Sequence, residues 1–175
     1  FDFLRERRGL LEGVVICGGE PTINKELPQF IEKIKNLGYS VKLDTNGSNP
    51  EILEDLVKVN LIDYVAMDIK APKEKYSIVF SEANDIKKIE ESVEFLKANK
   101  VDYEFRSTIL PKVHSKNDII NMAKWIEGSK IYYLQNFIAE KTINPKYEKY
   151  QSFYREDIET IIGECNKYVP TKIRI

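Results

Sequence analysis

VVICGGEPTINKELPQFIEKIKNLGYSVKLDTNG, residues 14 to 47, carries a strand, a helix, a second strand and both polar exits. Val14 to Cys17 is a short β-branched run stopped by Gly18-Gly19; Val41 to Asp44 is a second, followed by Thr45-Asn46-Gly47. Between them Leu27, Phe30, Ile31, Ile34 and Leu37 recur at helical spacing up to Gly38. A helix of that length is a crossover, and strands joined by a crossover run parallel.

The same unit repeats along the chain. Tyr64 to Ile69, Tyr103 to Ile109 and Ile131 to Phe137 have the length and composition of strands, and Lys172 to Ile175 is a sixth. Asn49-Pro50 opens a helix carrying Ile52, Leu53, Leu56 and Val57. Later helical stripes are Ile86, Ile89, Val93 and Leu96; Ile119, Ile120, Ala123 and Ile126 after Ser115; and Ile158, Ile161, Ile162, Cys165 and Tyr168. The order β, α, β, α predicts the α/β class, a parallel sheet with outer helices, in one domain spanning residues 1–175. Near-continuous apolar strands such as Tyr64-Val65-Ala66-Met67 fit burial on both faces.

With 27 basic and 28 acidic residues the net charge is −1, so no positive field draws a nucleic-acid backbone. No apolar stretch is long enough to cross a bilayer, and no membrane partner is expected. Cys17 and Cys165 are far apart and form no disulfide framework, which points to a reducing, cytoplasmic setting.

In parallel α/β folds ligands collect at the carboxyl ends of the strands. Here those ends read Cys17-Gly18-Gly19-Glu20-Pro21, Asp44-Thr45-Asn46-Gly47, Asp68-Ile69-Lys70, Arg106-Ser107-Thr108 and Gln135-Asn136. Gly18 and Gly19 let a ligand approach the main chain, Pro21 stiffens the exit, and Glu20 adds a charge-assisted bond for an ammonium group. Taken alone, Gly-Gly-Glu-Pro is also an ordinary strand-to-helix turn. Asp44 and Asp68 end neighbouring strands and repel each other unless a cation offsets them, either Lys70 or a bound metal ion.

Ile16-Cys17-Gly18-Gly19-Glu20-Pro21, Asp44-Thr45-Asn46-Gly47 and Met67-Asp68-Ile69-Lys70, in that order on successive strands, resemble the radical S-adenosylmethionine enzymes. Within that superfamily the pattern is similar to the activating enzymes of glycyl-radical proteins, above all the anaerobic ribonucleoside-triphosphate reductase activating proteins, with pyruvate formate-lyase activating enzyme related. The likeness runs from about Leu10 through Pro145. It implies a partial (β/α)6 TIM-like barrel in which Gly18, Gly19, Glu20 and Pro21 hold the methionine amino group. Asp44, Thr45, Asn46, Asp68, Lys70 and Arg106 would surround its carboxylate and the ribose, with Gln135 near the adenine. Asp44, Thr45 and Asp68 are the implied site of a monovalent cation. No side chain is required as an acid or base.

The family also carries a four-iron four-sulfur cluster on a CxxxCxxC loop, and this sequence has no such motif. Phe1 to Gly9 reads as the tail of a helix already under way, so the expectation is a barrel missing its first βα unit, with the cluster loop upstream of Phe1. The chain alone is then expected to be unable to generate the 5′-deoxyadenosyl radical. In the intact enzyme the resemblance implies reductive cleavage of S-adenosylmethionine and hydrogen abstraction from a glycine of a partner, anaerobic ribonucleotide reductase, with flavodoxin or ferredoxin as electron donor. The alternatives are a radical enzyme acting on a small molecule or peptide, and a catalytically silent binding module.

Cys17 and Cys165 are read as small buried hydrophobes, His114 as a solvated loop residue and Trp125 as core or rim. The aromatic-rich run Lys141 to Tyr154 fits a partner-docking surface and a covering loop equally.

Overall fold

The computed structural model describes residues 1–79, 86–140, 142 and 144–174. In chain order the elements are α1 (Asp2–Glu6), β1 (Gly13–Ile16), α2 (Leu27–Lys35), β2 (Ser40–Thr45), α3 (Pro50–Lys58), β3 (Tyr64–Asp68), α4 (Tyr76–Val79), α5 (Ile86–Lys97), β4 (Asp102–Ile109), α6 (Lys116–Trp125), β5 (Tyr132–Asn136), α7 (Arg155–Cys165) and β6 (Thr171–Arg174). Every strand and long helix expected from periodicity is present, with ends moved by at most three residues. Cys17 falls just outside β1, and Tyr168 lies beyond α7. Lys141 and Ile175, at the ends of two expected segments, lie outside the described residues.

Two compact units divide the chain, Phe1–Asp68 with Lys87–Tyr103 and Ile69–Ile86 with Glu104–Ile175. In the first, β1, β2 and β3 run parallel in that order, Val15 opposite Lys42 and Lys42 opposite Tyr64. Because side chains alternate along a strand, Val41, Leu43, Val65 and Met67 share the face that is wholly buried. Ile31 and Ile34 of α2 and Leu53 and Leu56 of α3 are buried too, each worth about 1.5–3 kcal/mol when fully removed from water. The opposite face carries Lys42, Asp44, Tyr64 and Asp68, all half-buried.

In the second unit β5 pairs parallel with β4 on one side and β6 on the other, Phe105 opposite Tyr132 and Leu134 opposite Ile173. Phe105, Ile109, Tyr132 and Leu134 are buried on one face, as are Ile119, Met122 and Ala123 of α6 and Ile158, Ile161 and Cys165 of α7. The other face carries Glu104, Arg106, Tyr133, Gln135 and Arg174. Glu104 and Arg174 pair through two bonds of 2.7 and 2.9 Å, and the Arg174 guanidinium lies 3.9 Å from the Tyr133 ring centroid. Among the described residues no helix is long and apolar enough to cross a membrane.

Candidate cofactor-binding site

The expected site residues sit at or just past the carboxyl ends of strands, except Arg106, which lies within β4, and in the first unit Glu20, Thr45 and Asn46 are knit into one network. Gly18 and Gly19 leave β1 with φ of +101° and +57°. A Cβ at either would meet nothing within 4 Å, so what these glycines supply is the left-handed backbone and an uncovered peptide rather than relief from a clash. Pro21 then opens a single 3₁₀ turn, Pro21–Ile23, with Glu20 as its N-cap.

Glu20 is the hub. Its Oε1 accepts from the Thr22 amide (3.2 Å), the Thr22 hydroxyl (2.6 Å) and the Thr45 hydroxyl (2.8 Å), while Oε2 accepts from the Asn46 amide (2.6 Å). The hydroxyls pass the chain onward: Thr22 accepts from Asn49 Nδ2 (2.8 Å) and Thr45 from the Gly47 amide (3.1 Å). The carboxylate expected to meet a ligand ammonium therefore ties the exit of β1 to the exit of β2, and Oε2 keeps acceptor capacity beyond its one bond. Sequence reading missed Thr22 and Asn49, although Thr22 two residues past an acidic N-cap is a recognisable signal.

Gly47 completes the β2 exit at φ +76°. A Cβ there would lie 2.1 Å from the Met67 methyl and 3.3 Å from Ser92 Cβ, and the Ser92 hydroxyl donates to the Gly47 carbonyl at 2.8 Å. The turn is thus pressed into the core of its unit, and only glycine fits.

Asp44 and Asp68 share the half-buried sheet face, Asp68 lying two residues beyond Ala66, the register partner of Asp44. Lys42 Nζ stands 3.8 Å from Asp44 Oδ1 and 5.5 Å from the Tyr64 ring centroid, so a cation of the same strand face adjoins Asp44. Thr45 alternates to the other face, is 4% exposed, and spends its hydroxyl on Glu20 and Gly47. Its side chain does not join the two aspartates.

In the second unit Lys70 follows β3, Arg106 lies in β4 and Gln135 in β5. The Ile69 amide donates to the Arg106 carbonyl at 2.8 Å, the Ser107 hydroxyl to the Ile69 carbonyl, and the Tyr132 hydroxyl to Ser107 Oγ at 2.6 Å. Burial pushes the Tyr132 phenol far above its ordinary pKa, which keeps it a donor. Gln135 and Asn136 border a cavity of about 880 Å³ together with Phe137, Phe153, Ile162 and Arg174. The Asn136 side chain pairs with both backbone groups of Phe153 at 3.0 and 3.1 Å, so part of the aromatic-rich run is stitched over the end of β5. Tyr154 of the same run is 69% exposed.

Two single-residue expectations are corrected. His114 is 5% exposed rather than solvated, because the turn after β4 folds its ring inward. Cys17 is exposed, because β1 ends before it and Gly18 turns the chain away; Cys165 is buried as expected, and burial pushes its thiol up to about 12.

The model of the Radical SAM superfamily matches residues 1–126. The chain belongs to this superfamily. Over 163 residues it is 33% identical to the "Putative glycyl-radical enzyme activating enzyme MJ1227" of Methanocaldococcus jannaschii, covering 90% of this chain and 68% of that protein. The crystal structure of a domain of pyruvate-formate lyase-activating enzyme from Bacteroides vulgatus superposes with a TM-score of 0.75 at 17% identity, covering 94% of this chain and all of that one. Streptococcus suis SuiB bound to S-adenosylmethionine superposes with a TM-score of 0.74 at 13% identity over 99% of this chain and 42% of SuiB. These likenesses bear out the fold class expected from the β, α alternation.

The family implies S-adenosylmethionine and a four-iron four-sulfur cluster. The uncovered Gly18-Gly19 peptides and the acids of the β2 and β3 exits suit a cationic amino-acid tail. The cluster does not fit the residues present: it needs three thiolates, the chain has two cysteines, and one of those is buried in α7. Among the described residues no group of three His, Cys, Asp or Glu side chains could hold a metal ion.

Proposed function

We propose that this chain is the S-adenosylmethionine-binding core of an activating enzyme for a glycyl-radical protein, and that the protein activated is anaerobic ribonucleoside-triphosphate reductase, with flavodoxin or ferredoxin as electron donor. The observation that carries the activating-enzyme part of this reading is the 33% identity, over nine-tenths of the chain, to a protein named "Putative glycyl-radical enzyme activating enzyme"; the choice of reductase rests on the resemblance of the Gly18–Pro21, Asp44–Gly47 and Met67–Lys70 segments. S-adenosylmethionine would supply the radical chemistry, and the chain supplies grip and charge.

In this reading the carbonyls of the Gly18–Pro21 segment accept from the methionine ammonium, with Glu20 Oε2 adding charge. Asn46, Lys70 and Arg106 take the carboxylate and ribose, and Gln135 the adenine edge. Asp44 and Asp68 fix the sign of the potential on their sheet face, where a monovalent cation would find two carboxylates. Each charge-assisted bond is worth about 1.5–3 kcal/mol, enough for roughly tenfold or more in affinity.

Calorimetry with S-adenosylmethionine tests the pocket. Binding by the unaltered chain and a loss of about tenfold or more in Lys70→Ala and Asp44→Asn are expected; no heat at millimolar ligand, or affinities indifferent to both changes, overturns the assignment. Analytical ultracentrifugation with the anaerobic reductase of the same organism tests the partner, a complex being expected and its absence removing that protein as the target.

A further inference from the structure

We propose that His114 is a positioning residue that locks the Lys70 peptide at the exit of β3, and that it does so as a single neutral tautomer. Its relevance to ligand binding rests on the role given above to Lys70.

The turn after β4 brings the ring inward. Leu110 is followed by Pro111, and the amides of Val113 and His114 both return to the Leu110 carbonyl, at 2.9 and 2.8 Å. His114 Nδ1 then lies 3.3 Å from the Leu110 amide, which can only donate, and Nε2 lies 2.8 Å from the Lys70 carbonyl oxygen, which can only accept. Nδ1 must therefore offer a lone pair and Nε2 must carry the hydrogen. An imidazolium would set a donor against the Leu110 donor. The next residue, Ser115, caps α6 in a reciprocal capping box with Asp118, so the ring is carried on a turn that is itself anchored.

Lys70 is held from its other side as well. Its amide donates to the Tyr76 hydroxyl at 3.3 Å, and Tyr76, 2% exposed, is set edge-on to Trp125 with ring centroids 5.6 Å apart. The preceding carbonyl, that of Ile69, accepts from Ser107. Both main-chain polar groups of Lys70 are thus bound by side chains. A residue whose peptide is fixed in this way has its Cα–Cβ direction fixed too, and a lysine reaching for a carboxylate benefits from that preorganisation. Histidine suits the position because a rigid ring presents an acceptor and a donor to two different loops.

The experiment uses His114→Leu, His114→Gln, which can keep a donor toward the Lys70 carbonyl, and Ile161→Val, a destabilising core change in α7 that leaves the His114 turn untouched. Long-range ¹⁵N–¹H spectra of the unaltered chain should show the Nε2–H tautomer. Amide exchange at Leu110 and Lys70 should accelerate at least tenfold in His114→Leu. The affinity for S-adenosylmethionine should fall about fivefold or more in His114→Leu, recover at least half of that in His114→Gln, and stay unchanged in Ile161→Val. An Nδ1–H tautomer, or unaccelerated exchange at Leu110, whose amide loses its acceptor in His114→Leu, overturns the lock. Unchanged affinity with accelerated exchange overturns the positioning role and leaves a purely structural histidine. Should the unaltered chain bind no S-adenosylmethionine, the functional reading falls, and the spectra and exchange rates still decide on the lock.

Discussion

The strand exits of the two units are secured by opposite means. In the first, the loops after β1 and β2 are held by one surface-proximal carboxylate, Glu20, which gathers two hydroxyls and two amides, and by glycines in left-handed conformations. In the second, the stretch after β3 is held from beneath by large buried side chains, Tyr132 through Ser107 on Ile69 and His114 on Lys70. The first arrangement leaves main-chain atoms uncovered at Gly18 and Gly19; the second fixes the main chain that carries Lys70.

Removing the hub breaks the first arrangement outright. Glu20→Ala deletes four hydrogen bonds and strands the Thr45 hydroxyl, on a residue 4% exposed, together with the Asn46 amide; a loss of about 3–5 kcal/mol is expected, a Tm roughly 10 °C lower. Glu20→Gln keeps an acceptor for the threonines but turns an NH2 toward Asn46, so about 1–2 kcal/mol should be lost. Urea unfolding measures both. If Glu20→Ala costs under about 1 kcal/mol, the carboxylate is not what joins the two exits, and a purely ligand-facing Glu20 is the better account.

The contrast also explains what could be read in the sequence. Strands and helices were legible because their apolar periods of two and 3.6 are local, and the polar exits were legible because Gly-Gly-Glu-Pro and Asp-Thr-Asn-Gly interrupt those periods abruptly. The partners of the exits were not, because each spans a distance in sequence that no period encodes: Glu20 to Asn46, Ser92 to Gly47, His114 to Lys70. A lone histidine beside a proline looks like a surface loop until the turn at Leu110 is seen to fold it under. Cys17 was misread for the opposite reason, since it extends an apolar run by one residue and yet follows the last paired residue of β1, Ile16. The four-residue α4, Tyr76–Val79, is too short for any period to announce.

A gentler change probes the second arrangement. Tyr132→Phe removes only the hydroxyl that donates to Ser107, leaving the ring in place between Phe105 and Thr171 in the strand register. Ser107 still donates to the Ile69 carbonyl but loses its own donor in a fully buried setting, and about 1–2 kcal/mol of stability should go. Thermal unfolding reads the stability, and amide exchange at Ile69 and Lys70 should accelerate with it. An equally stable Tyr132→Phe protein would mean that the β3 exit is held by His114 and Tyr76 without the tyrosine relay.

The smallest effect concerns the cap that carries the histidine turn. Asp118 is nearly buried; burial pushes its carboxyl up, but the bond from Lys75 Nζ (2.8 Å) and the contacts with Ser115, whose amide donates to it at 2.9 Å, outweigh this and hold it below the ordinary carboxylate range. A carboxyl whose pKa is lower in the folded than in the unfolded chain contributes stability that is complete above the unfolded value, about pH 4, and that drains away as pH falls through the lowered folded value. Asp118→Asn should therefore cost about 1 kcal/mol near neutrality, the usual worth of a cap, and the difference from the unaltered chain should shrink below about pH 4. Chemical denaturation at pH 7 and pH 3 measures it. A gap that stays constant across that range would show that the Lys75 and Ser115 bonds do not depend on the charge of Asp118, and the cap would then hold the turn by shape alone.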